Sequence, residues 1–285
     1  MSPGGASERL AFLRRTIAGI EGAAPGGFGA EGSDVRLPLG SAQTRPFWLD
    51  AALGGGLARG ALYEAAAGGP GDQGACCGFA LALAARFARS HAGAIVWVSE
   101  DFVSREAGAP YGPGLLEWGL DPARLVLVRA ADAKSALWAL EEALKCSACA
   151  AVVGELWGWG RHYGWTAARR LDLAARRGGP PCILTHCAQA GGAIESHGAR
   201  ARFAVFGATS SSLEGRRAGS PPTPSRPAFA VQILRTKFEG GRAAAPDPET
   251  RRPLVWNAQE GVFGDPLPVP MVAGSGDRIR AARSA

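Results

Sequence analysis

The residue pattern predicts an α/β fold: a mostly parallel sheet, an antiparallel extension behind it and a detached helix ahead of it. Three observations lead there. Short, nearly unbroken apolar runs such as 94–98 and 150–153 alternate with longer amphipathic stretches. Strands apolar on both faces belong to parallel sheets covered by helices on either side. After about residue 200 the helical periodicity stops, and only strand-like segments follow.

Each element has its own signal. Ser7 is placed to cap a helix running to about Glu21, with Leu10, Leu13, Ile17 and Ile20 on one face and Arg14 and Arg15 turned away. A Gly/Ala/Pro-rich linker at 22–32 follows. A strand at 60–66 leads into a glycine-rich turn at 68–74 and a helix at 75–90. Strands are then expected at 94–98, 125–129, 150–153 and 181–186, and helices at 113–119, 133–145 and 166–177. Segments 202–209, 228–237 and 253–257 read as strands, the first two joined by a Ser/Gly/Pro-rich stretch at 210–227. The tail has no periodicity from Pro266 onward and reads as disordered. The expected division is helix and linker over 1–36, one α/β domain over 37–260, and a tail over 261–285.

Composition narrows the function classes only loosely. A hydrophobic content of 47% supports a large core, and no run approaches the length of a membrane span. Met1 to Glu8 lacks the basic and apolar regions of a secretory signal, so a cytoplasmic protein without membrane partners is expected. Three of the 31 basic residues are lysines (Lys134, Lys145, Lys237), which leaves 28 arginines. Together with abundant Ala and Gly, that bias follows genome composition, so the net charge of +6 permits nucleic-acid contact without demonstrating it.

Six unevenly spaced cysteines read as reduced thiols. Cys146 and Cys149 have zinc-ligand spacing, and Cys182, His186 and Cys187 lie further on. In this Ala-rich setting they read as small core residues, and no metal is expected.

The strand, turn and helix around residue 70 stand where a phosphate-binding loop belongs. In such loops backbone N–H groups cradle phosphates, a lysine reaches the outer phosphates, and Ser or Thr holds Mg²⁺. Gly69, Gly71 and Gly74 keep the glycine framework, with Gln73 before the last of them. The lysine position is Ala75 and the hydroxyl position is Cys76, while Asp72 brings a negative charge. No lysine precedes Lys134. Transition-state charge on a γ-phosphate would have little to stabilise it, so no cofactor is expected and ATP binding is left open.

The segment from Leu49 to Gly60 that leads into this loop resembles the RecA-type approach to its Walker A sequence. With 111–115 (Tyr-Gly-Pro-Gly-Leu), 119–125 (Gly-Leu-Asp-Pro-Ala-Arg-Leu), 136–142 and 151–158, the chain resembles the ImuA family from about Arg9 to Asn257. These are RecA-like bacterial proteins of damage-inducible mutagenesis. The resemblance implies a RecA-like core that acts beside an ImuB-type polymerase-related protein and an error-prone DnaE-type polymerase in SOS-induced translesion synthesis. The implied role is scaffolding, with contact to single-stranded DNA or a RecA filament left open.

The same resemblance sorts the site residues. Glu100 matches the RecA-type glutamate that activates water, although without the lysine it reads as a strand-end carboxylate. The aspartate closing the second nucleotide-binding strand is replaced by Gly154, with Glu155 next. A one-residue shift reverses side-chain direction on a strand, so Glu155 is a poor substitute.

The first DNA loop would correspond to 157–165, where Trp157, Trp159, Arg161, His162 and Trp165 interleave aromatics with cations. Arg169 and Arg170 follow on the next helix. Arg200 and Arg202 follow the second loop, 187–198, which is small and nearly uncharged. A protein-binding hot spot is equally built from Trp and Arg. Two other readings stand beside the scaffold: an active DNA-dependent RecA-like ATPase, and a SulA-type inhibitor of cell division.

Overall fold

The structure is a computed structural model that describes residues 36–41, 47–157, 163–186, 198–208, 226–237 and 250–265. The expected N-terminal helix and linker, most of 210–227 and the tail from Pro266 lie outside the described residues.

The described chain opens with a short antiparallel pair, β1 (Arg36–Leu37) against β2 (Leu57–Ala58), which brackets α1 (Trp48–Ala52). The main sheet then begins with β3 (Leu62–Ala67), buried at every position, followed by α2 (Gln73–Ser90). Next come β4 (Ile95–Glu100), α3 (Asp101–Ala107), α4 (Gly112–Glu117), β5 (Leu125–Ala130), α5 (Ala133–Leu144) and β6 (Ala151–Leu156). After α6 (Trp165–Gly178) and β7 (Cys182–His186), only strands remain: β8 (Ala201–Ala208), β9 (Ala228–Thr236), β10 (Arg252–Asn257) and β11 (Val262–Gly264).

These strands form a nine-stranded sheet in the order β11-β10-β9-β8-β3-β7-β6-β4-β5. From β5 to β8 every pairing is parallel; from β8 to β11 every pairing is antiparallel. The fold is therefore α/β with a mixed, mostly parallel sheet and an antiparallel C-terminal extension. β3 sits between β7 and β8, so the turn that follows it opens at the middle of the sheet.

Apolar layers cover both faces. On one, α2 carries Phe79, Leu83 and Phe87 against Trp97, Phe203 and Phe229. Phe79 meets Phe203 and Phe229 edge-on at 5.3 and 5.9 Å between ring centroids. A helix apolar around most of its circumference has to be buried, and α2 is. On the other face, α5 and α6 contribute Leu140, Leu144 and Leu171 against Val98, Val152 and Leu184. α6 is the amphipathic one, turning its arginines outward.

Three features differ from the sequence reading. β11 adds a strand beyond residue 260, where the tail was expected to start. The segment after β4 is helical from Asp101, with Glu100 as its N-terminal flank. The β1–β2 pair and α1 had no expected counterpart. All are seven residues or shorter. That is too few turns or alternations to leave a periodic signal.

Candidate functional site

The turn between β3 and α2 is held by its own backbone and by one side chain. The Gly68 N–H donates to the Val205 carbonyl at 2.7 Å, and a Cβ at Gly68 would lie 2.2 Å from the Phe206 ring, which would have to move to admit a side chain. The Asp72 carboxylate accepts from the Gly207 N–H on β8 at 2.8 Å. The acidic side chain thus braces the loop against the neighbouring strand. Gly71 and Gly74 have open space around the Cβ position.

Behind the loop stand Ala75 and Cys76, at the positions where a lysine and a hydroxyl are looked for. Ala75 is half-buried and packs on the core; Cys76 is fully buried in the aromatic layer. Gln73 and Gly74 form the start of α2 beside this loop.

The two strand-end glutamates have different surroundings. Glu100 Oε1 accepts from the Trp157 N–H at 3.0 Å, so it ties the end of β4 to the segment leaving β6. Trp157 packs edge-on to Phe102, 4.6 Å between centroids. Glu155 requires a correction. The register places Gly154 on the α5 face, where a Cβ would lie 2.6 Å from Leu184 and 2.8 Å from Leu140. Glu155 therefore faces α2, not away from it. It is 4% exposed, accepting from Cys77 Sγ at 3.0 Å and from Trp97 Nε1 at 3.2 Å.

Of the expected contact residues, Trp159, Arg161 and His162 lie outside the described residues, as does most of 187–198. Trp165 is the first residue of α6 and largely exposed. Arg169 pairs with Asp172 at 3.2 Å, and Arg170 reaches Glu141 on α5; both arginines keep most of their surface open to solvent. Arg202, expected in the same contact set, is a second correction. It is 8% exposed, with Nε 3.9 Å from the fully buried Glu64, which also accepts from the Tyr163 hydroxyl. Burial pulls its guanidinium below the ordinary value while Glu64 opposes that shift. This arginine compensates an internal charge and does not face outward.

A cationic cluster lies where α6 meets the end of β9. Burial, then Arg235, pulls the Lys237 ammonium below its ordinary value; Arg169 and Arg176 add to the effect and Asp172 opposes it. The Lys237 N–H donates to the Arg200 carbonyl at 2.7 Å, which brings Arg200 alongside. Among the described cysteines, Cys146 is exposed while Cys149 and Cys182 are buried. Burial, with Cys146 beside it, pushes the Cys149 thiol up to about 11. Among the described residues no three His, Cys, Asp or Glu side chains are grouped to hold a metal ion.

No family model matches the chain. Two relatives do, each called Protein ImuA, from two strains of Caulobacter vibrioides. Both are 32% identical over 236 residues, covering 81% of this chain and 88% of theirs. The chain belongs to the ImuA family. Among solved structures it is similar to the RadB recombinase, with TM-score 0.48 and 17% identity over 76% of this chain and 96% of that one.

The segments that carry the ImuA resemblance have structural work in this ImuA-family chain. Asp50 is 8% exposed; its carboxylate accepts from the Leu39 and Gly40 N–H groups at 2.6 and 3.1 Å. Gly56, at φ 119°, brings the backbone so close to Leu37 that a Cβ would lie 2.4 Å from its carbonyl oxygen. Arg124 spreads its guanidinium over the carbonyls of Ala88, His91 and Gly93 at 3.1, 2.6 and 2.6 Å, capping α2. Sequence reasoning missed a cavity beside α2, walled by Trp97 and Trp118 with Glu155 in its lining. No motif marks it, because four separate segments build it.

Proposed function

We propose that this ImuA-family chain is a non-catalytic accessory factor of SOS-induced, error-prone translesion synthesis. It is a RecA-like body that docks an ImuB-type polymerase-related protein and, through it, an error-prone DnaE-type polymerase in the cytoplasm. The observation that carries this reading is the occupied loop: Asp72 is bonded to Gly207, with Ala75 and buried Cys76 where a lysine and a hydroxyl would serve ATP. A protein of this family without phosphate chemistry at its loop acts through contact. The test is the dissociation constant between the purified chain and an ImuB-type protein. Micromolar or tighter binding, as in transient protein complexes, is expected; absence of binding overturns the scaffold.

A second reading, contact with single-stranded DNA or a RecA filament, is favoured by the cluster of Arg169, Arg176, Arg235 and Lys237. All four side chains are exposed, and exposed cations on one face suit a phosphate backbone. DNA affinity that falls steeply with salt, and falls further in Arg235→Ala, is its expected signature. An ATPase reading would instead require DNA-stimulated phosphate release that disappears in Glu100→Gln.

A further inference from the structure

The turn between α5 and β6 carries two cysteines that the docking reading does not use. It closes when the Cys149 N–H donates to the Cys146 carbonyl at 3.1 Å. A four-residue turn closed in this way brings its end Cα atoms within about 7 Å of each other. A disulfide spans Cα separations of roughly 4.4 to 6.8 Å. The side chains meet as well, since Cys146 is a hydrogen-bond partner of the Cys149 thiol. Neighbouring groups hold the turn in place. The Cys146 N–H donates to the Ala143 carbonyl at the end of α5, at 3.1 Å. Arg59 donates to the Cys149 and Ala150 carbonyls at 3.1 and 3.2 Å. A Cβ on Gly93 would lie 1.6 Å from the Ala148 carbonyl oxygen, so the turn lies directly on the segment that enters β4.

Access is divided between the two thiols. Cys146 faces solvent, whereas Cys149 is 6% exposed. Cys76 and Cys182 are buried, and Cys77 is half-buried and bonded to Glu155. Among the described residues, Cys146 is therefore the exposed thiol, and its neighbour across the turn is another thiol.

We infer that Cys146 and Cys149 form a reversible oxidation site that takes hydroperoxides. The Cys146 thiolate attacks a peroxide oxygen; the O–O bond breaks and leaves a sulfenic acid on Cys146 and one water. The Cys149 sulfur then attacks the Cys146 sulfur. The S–O bond breaks, a disulfide forms, and the departing hydroxide takes the Cys149 proton to give a second water. Two electrons pass from the thiol pair to the peroxide, and a small dithiol returns them by exchange. Burial keeps the Cys149 thiol protonated and away from the oxidant, so Cys146 reacts first. Because the ring closes within one turn, no sulfur of the pair is left over to link a second chain.

The test exposes the full native chain to hydrogen peroxide, then denatures it and labels the remaining thiols with iodoacetamide. Trypsin releases both cysteines in one peptide, 146–161, bounded by Lys145 and Arg161 and holding no other cysteine. This peptide is expected to lose two hydrogens and take no label, while Cys76, Cys77 and Cys182 remain labelled. Dithiothreitol should restore its labelling. In Cys146→Ser, Cys149 should stay reduced under the same exposure; in Cys149→Ser, dimedone should mark a sulfenic acid on Cys146. A 146–161 peptide that keeps both thiols would overturn the inference even if neither variant folds. So would equally fast oxidation of Cys149 in Cys146→Ser, or a disulfide joining two chains. Zinc that shields both thiols of the untreated chain until a chelator removes it would also overturn it and make the pair metal ligands.

Discussion

On the reading proposed above, Asp72 separates this loop from one that holds phosphates. Its carboxylate spans to β8 and occupies the loop with negative charge. Restoring only the missing groups, as Ala75→Lys with Cys76→Thr, should therefore leave ATP binding undetectable by calorimetry. Adding Asp72→Ser should let binding appear. If the double variant alone bound ATP, Asp72 would not be the obstacle. The single change Asp72→Ala removes one partly solvated hydrogen bond and should cost about 1 kcal/mol in denaturant unfolding. At this scale the sequence was informative about residue type and blind to direction. Ala75 and Cys76 were readable at their positions, whereas Glu155 and Arg202 depended on which strand face they occupy. Register decides that: Val98 opposite Gly154 and Ser99 opposite Glu155 turn the glutamate toward α2. Arg202 opposite Glu64 turns that arginine inward.

Individual elements are held by side chains that reach between them. Arg124 binds the last carbonyls of α2, a favourable place for a cation at the negative end of a helix dipole. Arg124→Ala should cost roughly 2 kcal/mol, as for hydrogen bonds to a charged group. Arg124→Lys should recover less than half, since an ammonium cannot fork over three carbonyls. Urea unfolding of the three proteins measures both; full recovery by lysine would show that charge alone matters. Tyr63 plays a similar part for the entry segment. Its hydroxyl accepts from the Ala58 N–H at 2.6 Å and donates to the Ala58 carbonyl at 3.1 Å. The long strands and helices were legible because apolar runs and 3.6-residue periodicity persist over enough residues to count. α3, with seven residues, and β11, with three, were not. The cavity was least legible of all, because α2, β4, β6 and the 107–118 segment meet there only after folding.

At the scale of the whole molecule, two apolar layers sandwich the parallel half of the sheet, and ionisable groups such as Glu64, His186 and Arg202 are buried with them. Burial, then Arg202, holds the His186 imidazole well below the ordinary histidine value. The unfolded chain therefore binds a proton that the folded chain refuses. Stability from this group is complete above about pH 6.5 and declines as pH falls toward the lower folded value. The melting temperature should drop between pH 7 and 5, and His186→Gln should flatten that drop. An unchanged slope in the variant would assign the pH dependence elsewhere.

The same body carries a loop braced by Asp72, an aromatic cavity and a group of cations at the end of β9, and the proposed reading is that it works by contact. Calorimetric titration of the purified chain with ATP and Mg²⁺, with and without single-stranded DNA, tests this most directly. The account predicts no heat of binding under either condition. Micromolar binding would contradict it, because some cation would then be doing the work of the absent lysine and the chain would have to be treated as a nucleotide-driven protein.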